Sequence, residues 1–138
     1  MNRQEIISFI NANLACFLGT AGDGVPHVRG MLVYRADDSG IIFHTGKMKD
    51  LYKQLQKNPK VELCFFSQAN GVQVRVSGTA ELVEDLSLKQ EIAGKRDFLK
   101  SIAEEVGYEN IAVYRVRNCK ATTWTMATNL SPKEYVTL

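Results

Sequence analysis

The sequence predicts a mainly β domain with flanking helices, of the α+β class, whose strands form a small closed or half-open antiparallel barrel. Three observations support this. About six apolar or alternating runs have the length of short strands, and several are joined by turns typical of hairpins. Only a few stretches have helical periodicity. No linker, repeat or low-complexity segment interrupts the 138 residues, so we expect one domain over residues 1–138.

The first part of the chain predicts a helix and then a three-stranded meander. Residues 3–12 place their large apolar side chains near one face, which indicates a short amphipathic helix. Strands are expected over residues 14–20, 25–35 and 40–46, with Asp-Gly and Ser-Gly turns between them. Because closure of a barrel removes exposed strand edges, the short antiparallel strands favour a barrel over an open sheet.

After residue 46 the apolar period changes to that of a helix. The spacing i, i+3, i+4, i+7 is followed by Met48, Leu51, Tyr52 and Leu55. Asn58 and Pro59 end this helix. Residues 86–105 predict two short helices, interrupted between Gly94 and Asp97.

The remaining segments predict further strands. Gly78 breaks an alternating run and predicts a bulge or a barrel-corner bend. The tail, residues 131–138, is a candidate for one more short strand. The expected strands after the helix lie over residues 61–66, 72–83, 111–117 and 121–126.

Composition excludes several classes of protein. The 17 Lys and Arg residues nearly balance 15 Asp and Glu, so the net charge of +2 does not favour a nucleic-acid partner. No run approaches the ~20 apolar residues of a membrane helix, and the start lacks the apolar core of a signal peptide. We therefore expect a cytoplasmic protein with reduced, buried cysteines and no membrane partner. The two histidines have no cysteine or carboxylate at ligand spacing, so no metal site is expected.

The catalytic residues cannot be assigned from motifs. The sequence has no G-x-G-x-x-G, Walker A or G-x-S-x-G pattern, and its adjacent carboxylates are most simply solvated. If the protein is an enzyme, we expect a bound cofactor to carry the chemistry.

One basic cluster predicts a phosphate site. Arg29 lies in the second predicted strand, Thr45 ends the third, and Lys47 and Lys49 stand at the start of the following helix. Free N–H groups and the positive end of the helix dipole favour an anion there. The alternative is an ordinary solvated helix start.

Three segments resemble a known family. PHVRGMLVY (26–34), IIFHTGKMKDLYKQLQKNPKVELCFF (41–66) and VQVRVSGTAELVED (72–85) are similar to the pyridoxamine 5′-phosphate oxidase-like, FMN-binding split-barrel superfamily. The short length is most similar to its single-domain members related to the nitroimidazole-resistance (Nim) proteins. The resemblance implies a six- to seven-stranded antiparallel split barrel that forms a homodimer with FMN at the interface.

The resemblance also implies which residues would contact the flavin. Arg29 and Thr45 match phosphate contacts, and Lys47 and Lys49 match the basic helix start. Gln73 matches a glutamine that often comes from the partner subunit, and Trp124 is a candidate for stacking near the flavin. The strand lining the isoalloxazine ring and the aromatic position beside it correspond to Gly30, Met31, Leu32, Val33 and His44.

Two departures bear on the substrate. Asp50 and Leu51 stand where the full-length oxidases carry an Arg-Lys pair, and the oxidases' C-terminal segment for pyridoxal phosphate has no counterpart in this sequence. We therefore do not expect the chain to oxidise pyridoxamine 5′-phosphate.

The functional hypothesis is an FMN-dependent oxidoreductase. It would reduce a small electrophile, nitroaromatic or quinone-like, with electrons from NAD(P)H. The alternatives are a flavin carrier or redox sensor without turnover, a haem-binding or deazaflavin-binding relative, and a structural dimer with no cofactor.

Overall fold

Four helices flank the sheet. The computed structural model describes all 138 residues. The first helix, α1, has the predicted bounds and begins with a capping box, in which Asn2 and Glu5 bond each other's backbone N–H. The two short helices predicted over residues 86–105 are confirmed, with the break at Arg96. The bounds are α1 Arg3–Ala12, α2 Asp50–Lys57, α3 Leu86–Lys95 and α4 Asp97–Val106.

Eight strands form one antiparallel sheet in the order β2-β1-β5-β6-β7-β4-β3, with β8 paired to β7. The α+β class is therefore confirmed, and the expected count of six to seven strands is too low. The bounds are β1 Ala15–Gly22, β2 Val25–Leu32, β3 Arg35–Asp37, β4 Gly40–Gly46, β5 Lys60–Ser67, β6 Val72–Val83, β7 Ile111–Trp124 and β8 Val136–Thr137.

The single strand predicted over residues 25–35 is wrong, because the chain changes partners in the middle of it. The Val33 N–H donates to Leu14 O at 3.0 Å, on the β1 side. The Tyr34 N–H donates to Ile42 O at 2.7 Å, on the β4 side. Two residues therefore connect β2 and β3, which are the opposite edges of the sheet.

This short connection makes the sheet curl. Seven strands laid flat would separate their edges by about 29 Å. The link from the end of β2 to the start of β3 spans at most about 11 Å. The sheet therefore closes into a half-open barrel with a split between its two edges.

The two strands predicted over residues 111–117 and 121–126 are one strand, β7. Its irregularity lies at Asn118, which has a positive φ of 54°. Opposite it the register shifts between Ser77 and Thr79, so the predicted bulge at Gly78 is confirmed. The hydrogen-bond ladder resumes beyond the bulge and keeps β7 continuous.

The core has two parts. A cluster of 23 buried residues fills the barrel interior and packs against α1 and α2. A smaller cluster of seven lies under α3 and α4, against the other face of β4 and β7. None of the four helices combines the length and the hydrophobicity that a membrane span requires.

The outer face of β1, β2, β5 and β6 has no such cover. Cross-strand pairing places Gly30, Phe17, Cys64 and Arg75 in one row on this face. Its apolar side chains are exposed, with Val28 71% and Phe17 61% accessible. Of the three free cysteines only Cys64, on this face, is not buried. We call this surface the open face.

We expect Gly78→Ala to lower the free energy of unfolding by about 1–3 kcal/mol, because the bulge leaves no space for a Cβ atom. A Cβ there would overlap the Val116 side chain and the Arg117 carbonyl. Urea unfolding measures the change.

Gly94→Ala in α3 is the matched control. Nothing lies within 4 Å of its Cβ position, so alanine should raise the free energy of unfolding by up to about 1 kcal/mol. Equal effects at the two positions would contradict the packing argument.

Candidate functional site

A cleft of about 750 Å³ opens between β2, the end of β4 and the start of α2. It is the larger of the two clefts that contain sequence-predicted residues. Seven of the predicted cofactor contacts line it: Arg29, Gly30, Met31, Leu32, His44, Thr45 and Lys49. Segments that are distant along the chain thus meet here, as the resemblance implies.

Arg29 is held in place by the barrel. Its partner across the ladder is Leu18, so the side chain points inward toward the end of the barrel and not onto the open face. The guanidinium donates to the Thr20 hydroxyl at 2.9 Å, to Leu18 O at 3.3 Å and to the Gln54 side-chain oxygen on α2. Of its five N–H groups, about two remain for a ligand.

The charge of Arg29 persists in the cleft. Burial lowers the pKa of its guanidinium, and the Asp50 carboxylate opposes that shift. Because arginine has an ordinary pKa above 12, the group stays protonated. Arg29 is thus a pre-oriented cation at the cleft wall.

The start of α2 supplies further anion-binding groups. Lys49 is its N-cap residue, with extended backbone, and no side chain bonds the first-turn N–H groups. Those N–H groups are available to a ligand. Asp50 also lines the cleft, so a single acidic group partly offsets the positive charge of Arg29 and Lys49.

His44 and Thr45 stand side by side at the end of β4. Thr45 is buried, 8% exposed, and lines the cleft. His44 Nε2 lies 3.1 Å from a guanidinium nitrogen of Arg96, and its ring tilts against Phe98 with centroids 6.0 Å apart. Burial, with the nearby charges of Arg96 and Lys49, lowers the pKa of His44 from 6.5 to about 4. The imidazole is therefore neutral at pH 7.

Four predicted residues do not line the cleft, and two of them, Val33 and Lys47, come from the same segments as its lining. Val33 is fully buried in the core. The Lys47 ammonium lies 3.1 Å from a Glu84 carboxylate oxygen and does not line the cleft. Of the two lysines at the helix start, only Lys49 therefore lines the cleft.

Gln73 and Trp124 lie in a second cleft of about 590 Å³. They are cross-strand neighbours on β6 and β7, and the Trp124 indole N–H donates to Asn129 at 2.8 Å. Three strand spacings separate β2 from β6, or about 14 Å. Within one chain these two residues therefore lie apart from the Arg29 cleft.

Sequence reasoning missed several residues of the cleft. Gln54 orients Arg29, while Phe98 and Met48 form exposed apolar parts of the wall. Arg96 contacts His44 from the α3–α4 junction. The helix break near Arg96 was visible in the sequence, but nothing there indicated its contact with β4, 52 residues away.

Comparison with known proteins identifies relatives. The family model described as pyridoxamine 5′-phosphate oxidase matches residues 3–125. A pyridoxine/pyridoxamine 5′-phosphate oxidase of Pseudomonas putida is 38% identical over 74 residues, which cover 54% of this chain and 34% of that protein. The match thus spans about a third of that relative's length.

Solved structures share the fold. A NimC/NimA family protein of Clostridium acetobutylicum aligns with a TM-score of 0.79 at 21% identity, covering 98% of this chain and 92% of that one. A protein of Mesorhizobium loti described as FAD-binding aligns with a TM-score of 0.65 at 17% identity, covering 91% and 96%. These likenesses place the chain among short split barrels.

We expect acidification from pH 7.5 to pH 5 to lower the free energy of unfolding by about 2 kcal/mol through His44. The unfolded chain takes up this proton near pH 6.5, whereas the folded protein takes it up only near pH 4. The folded state thus binds fewer protons in that window, and stability falls as pH falls.

Urea unfolding at several pH values measures the slope of the free energy of unfolding against pH. His44→Gln should flatten it, while His27→Gln, at an exposed residue, should keep it. An unchanged slope in His44→Gln would contradict the assignment.

Proposed function

The chain belongs to the pyridoxamine 5′-phosphate oxidase family, and on this premise we propose that it binds FMN and acts as a flavin-dependent oxidoreductase. Its substrate would be a small electrophile, nitroaromatic or quinone-like, and its electron donor NAD(P)H. One observation carries the proposal: the anchored Arg29 and the open helix start at Lys49 face the same cleft, beside the edge strand β2.

The residues of the cleft fit the phosphate of FMN. A phosphate dianion needs charged donors, a hydroxyl and free N–H groups. Arg29, Lys49, Thr45 and the first turn of α2 supply these together. The spare N–H groups of Arg29 are pre-oriented by Thr20, which reduces the ordering cost of binding.

The cleft also fits the flavin ring. A volume of about 750 Å³ lies within the range of small-molecule sites. β2 pairs only with β1, so one side of its backbone offers unpaired N–H and C=O groups. Gly30 and the Leu32 N–H would hold the ring edge by these groups, since Leu32 O already accepts from Arg96, and Met31 would line the cleft beside them.

The chain's residues then have binding and orienting roles. Bound FMN supplies hydride transfer, so the protein needs no nucleophile of its own. The neutral His44 adds no charge beside the ring. Phe98 and Met48 are exposed at the cleft, where they would give a flat, apolar substrate a surface to pack on.

We further propose that two copies pair through the open face. Phe17, Val28 and Phe66 are exposed in its apolar part, and such a surface favours a protein partner. A two-fold pairing would bring Gln73 and Trp124 of the partner subunit to the Arg29 cleft, which they cannot reach within one chain. The homodimer would thereby complete the flavin site.

We expect Arg29→Gln/Lys49→Gln to weaken FMN binding by about 100-fold or more, because two charge-assisted contacts to phosphate are lost. Titration of the purified protein with FMN, followed by flavin fluorescence, measures the dissociation constant. Lys53→Gln/Lys100→Gln removes the same charge from exposed helix positions and should keep wild-type affinity.

Wild-type affinity in the Arg29→Gln/Lys49→Gln variant would reject the phosphate site.

The spectrum of the purified protein decides between cofactors. FMN or FAD released on denaturation identifies the flavin, whereas a Soret band indicates haem. Flavin binding without NAD(P)H oxidation in the presence of nitroaromatics or quinones would favour a carrier or sensor.

We expect Phe17→Asp to convert a dimer into monomers, because it places a charge in the centre of the open face. Light scattering after size exclusion should give about twice the 15.4 kDa chain mass for the wild type and that mass for the variant. Leu86→Asp, at an exposed apolar residue outside this face, is the control and should stay dimeric. A monomeric wild type would reject the shared site.

A further inference from the structure

Arg96 connects the α3–α4 junction to the candidate cleft. We propose that it is a positioning residue that holds His44 as a neutral ring with its only N–H at Nδ1. The cleft would then offer a carbonyl or phosphoryl oxygen of the ligand a fixed hydrogen-bond donor in place of a base. The part that concerns the ligand rests on the proposed function, while the state of His44 does not.

Arg96 reaches the sheet from the junction between α3 and α4. Arg96 is both the last cap of α3 and the first cap of α4, in an extended conformation with φ −131° and ψ 102°. From there the guanidinium donates to Leu32 O at 3.0 Å and to Val33 O. These carbonyls lie where the chain leaves β2, so Arg96 fixes the end of that strand.

The same guanidinium determines the tautomer of His44. Arg96 Nη1 lies 3.1 Å from His44 Nε2. A guanidinium has five N–H donors and no acceptor, so the contact is a hydrogen bond only if Nε2 carries the lone pair. The proton of the neutral ring is then on Nδ1.

The charges around His44 favour the same state. Arg96 from the helix junction and Lys49 from the start of α2 act on the ring, and both disfavour the imidazolium. Burial acts in the same direction and has the largest effect on its pKa. A ring that stays neutral through the physiological range is a donor at one nitrogen only.

Arg96 is itself held from several sides. Its guanidinium carbon lies 5.4 Å from the Tyr34 ring centroid and 5.9 Å from that of Phe98. The Tyr34 hydroxyl donates to Glu91 on α3 at 2.7 Å, and Arg35 donates to the same carboxylate at 2.8 Å. The contact to His44 is therefore part of a braced arrangement and not a flexible surface pair.

Nitrogen-15 NMR of the cofactor-free protein tests the tautomer directly. The chain has only two histidines, so long-range ¹H–¹⁵N spectra contain two ring systems, and His44→Gln identifies that of His44. We expect Nδ1 of His44 to be protonated and Nε2 to be unprotonated at pH 7. An Nε2-protonated His44 in the wild type would overturn the proposal whatever the protein binds.

Variants of Arg96 and Lys49 distinguish the effect of the hydrogen bond on the His44 tautomer from the effect of nearby charge on its pKa. Arg96→Ala should shift His44 toward the Nε2-protonated form that a histidine side chain prefers in water, and should raise its pKa. Lys49→Ala should raise the pKa but leave the tautomer unchanged. Arg96→Lys keeps a donor and should keep the wild-type tautomer, so it serves if the alanine variant does not fold. An unchanged tautomer in a folded Arg96→Ala would overturn the proposal.

Flavin titration then tests the link to the ligand. His44→Phe keeps an aromatic ring without a donor and should weaken FMN binding about tenfold. Arg96→Ala should weaken FMN binding less in the His44→Phe background than in the wild type, since the part of its effect that passes through His44 is already lost there. Additive losses would reject the coupling. If the wild type binds no FMN, the proposed function fails, while the NMR result still decides the role of Arg96.

Discussion

The architecture depends on a two-residue link between the two edges of the sheet. Val33 bonds to the β1 side and Tyr34 to the β4 side, so the end of β2 and the start of β3 cannot separate by more than about 11 Å. The covalent restraint curls an antiparallel sheet that would otherwise be open. It also leaves β2 as an edge strand with no strand partner on one side. An edge of this kind invites aggregation unless something covers it.

The candidate cleft lies at this split. One wall is the free edge of β2, and the other is formed by the end of β4 and the start of α2. Arg29 bonds Thr20 of β1 and Gln54 of α2, while Arg96 donates to Leu32 O at the end of β2 and contacts His44 of β4. Two arginines thus tie together the elements that meet at the split. Each arginine donates hydrogen bonds to acceptors in the cleft wall, so the site has a fixed shape before any ligand binds.

The open face and the cleft belong to one functional arrangement in the function proposed above. The apolar side chains of the open face have no cover within the chain, and Gln73 and Trp124 lie about three to four strands from β2. A second copy would cover these apolar side chains and would also bring its own Gln73 and Trp124 to the cleft.

The sequence by itself determined the helices, most strands and the bulge at Gly78, because those features follow local periodicity and backbone freedom. It also predicted one phosphate site from Arg29, Thr45, Lys47 and Lys49, first from the basic helix start and then from the resemblance. It did not determine the break at Val33, the continuity of β7 past Asn118, or the pairing of Lys47 with Glu84. Arg96 and Gln54 belong to the site only through tertiary contacts. Arg96 contacts His44 and Gln54 contacts Arg29 over long distances in the sequence, so neither contact produces a pattern in the local sequence. Hydrogen-bond partners over such distances are decided by how the sheet curls, and that is a property of the whole chain.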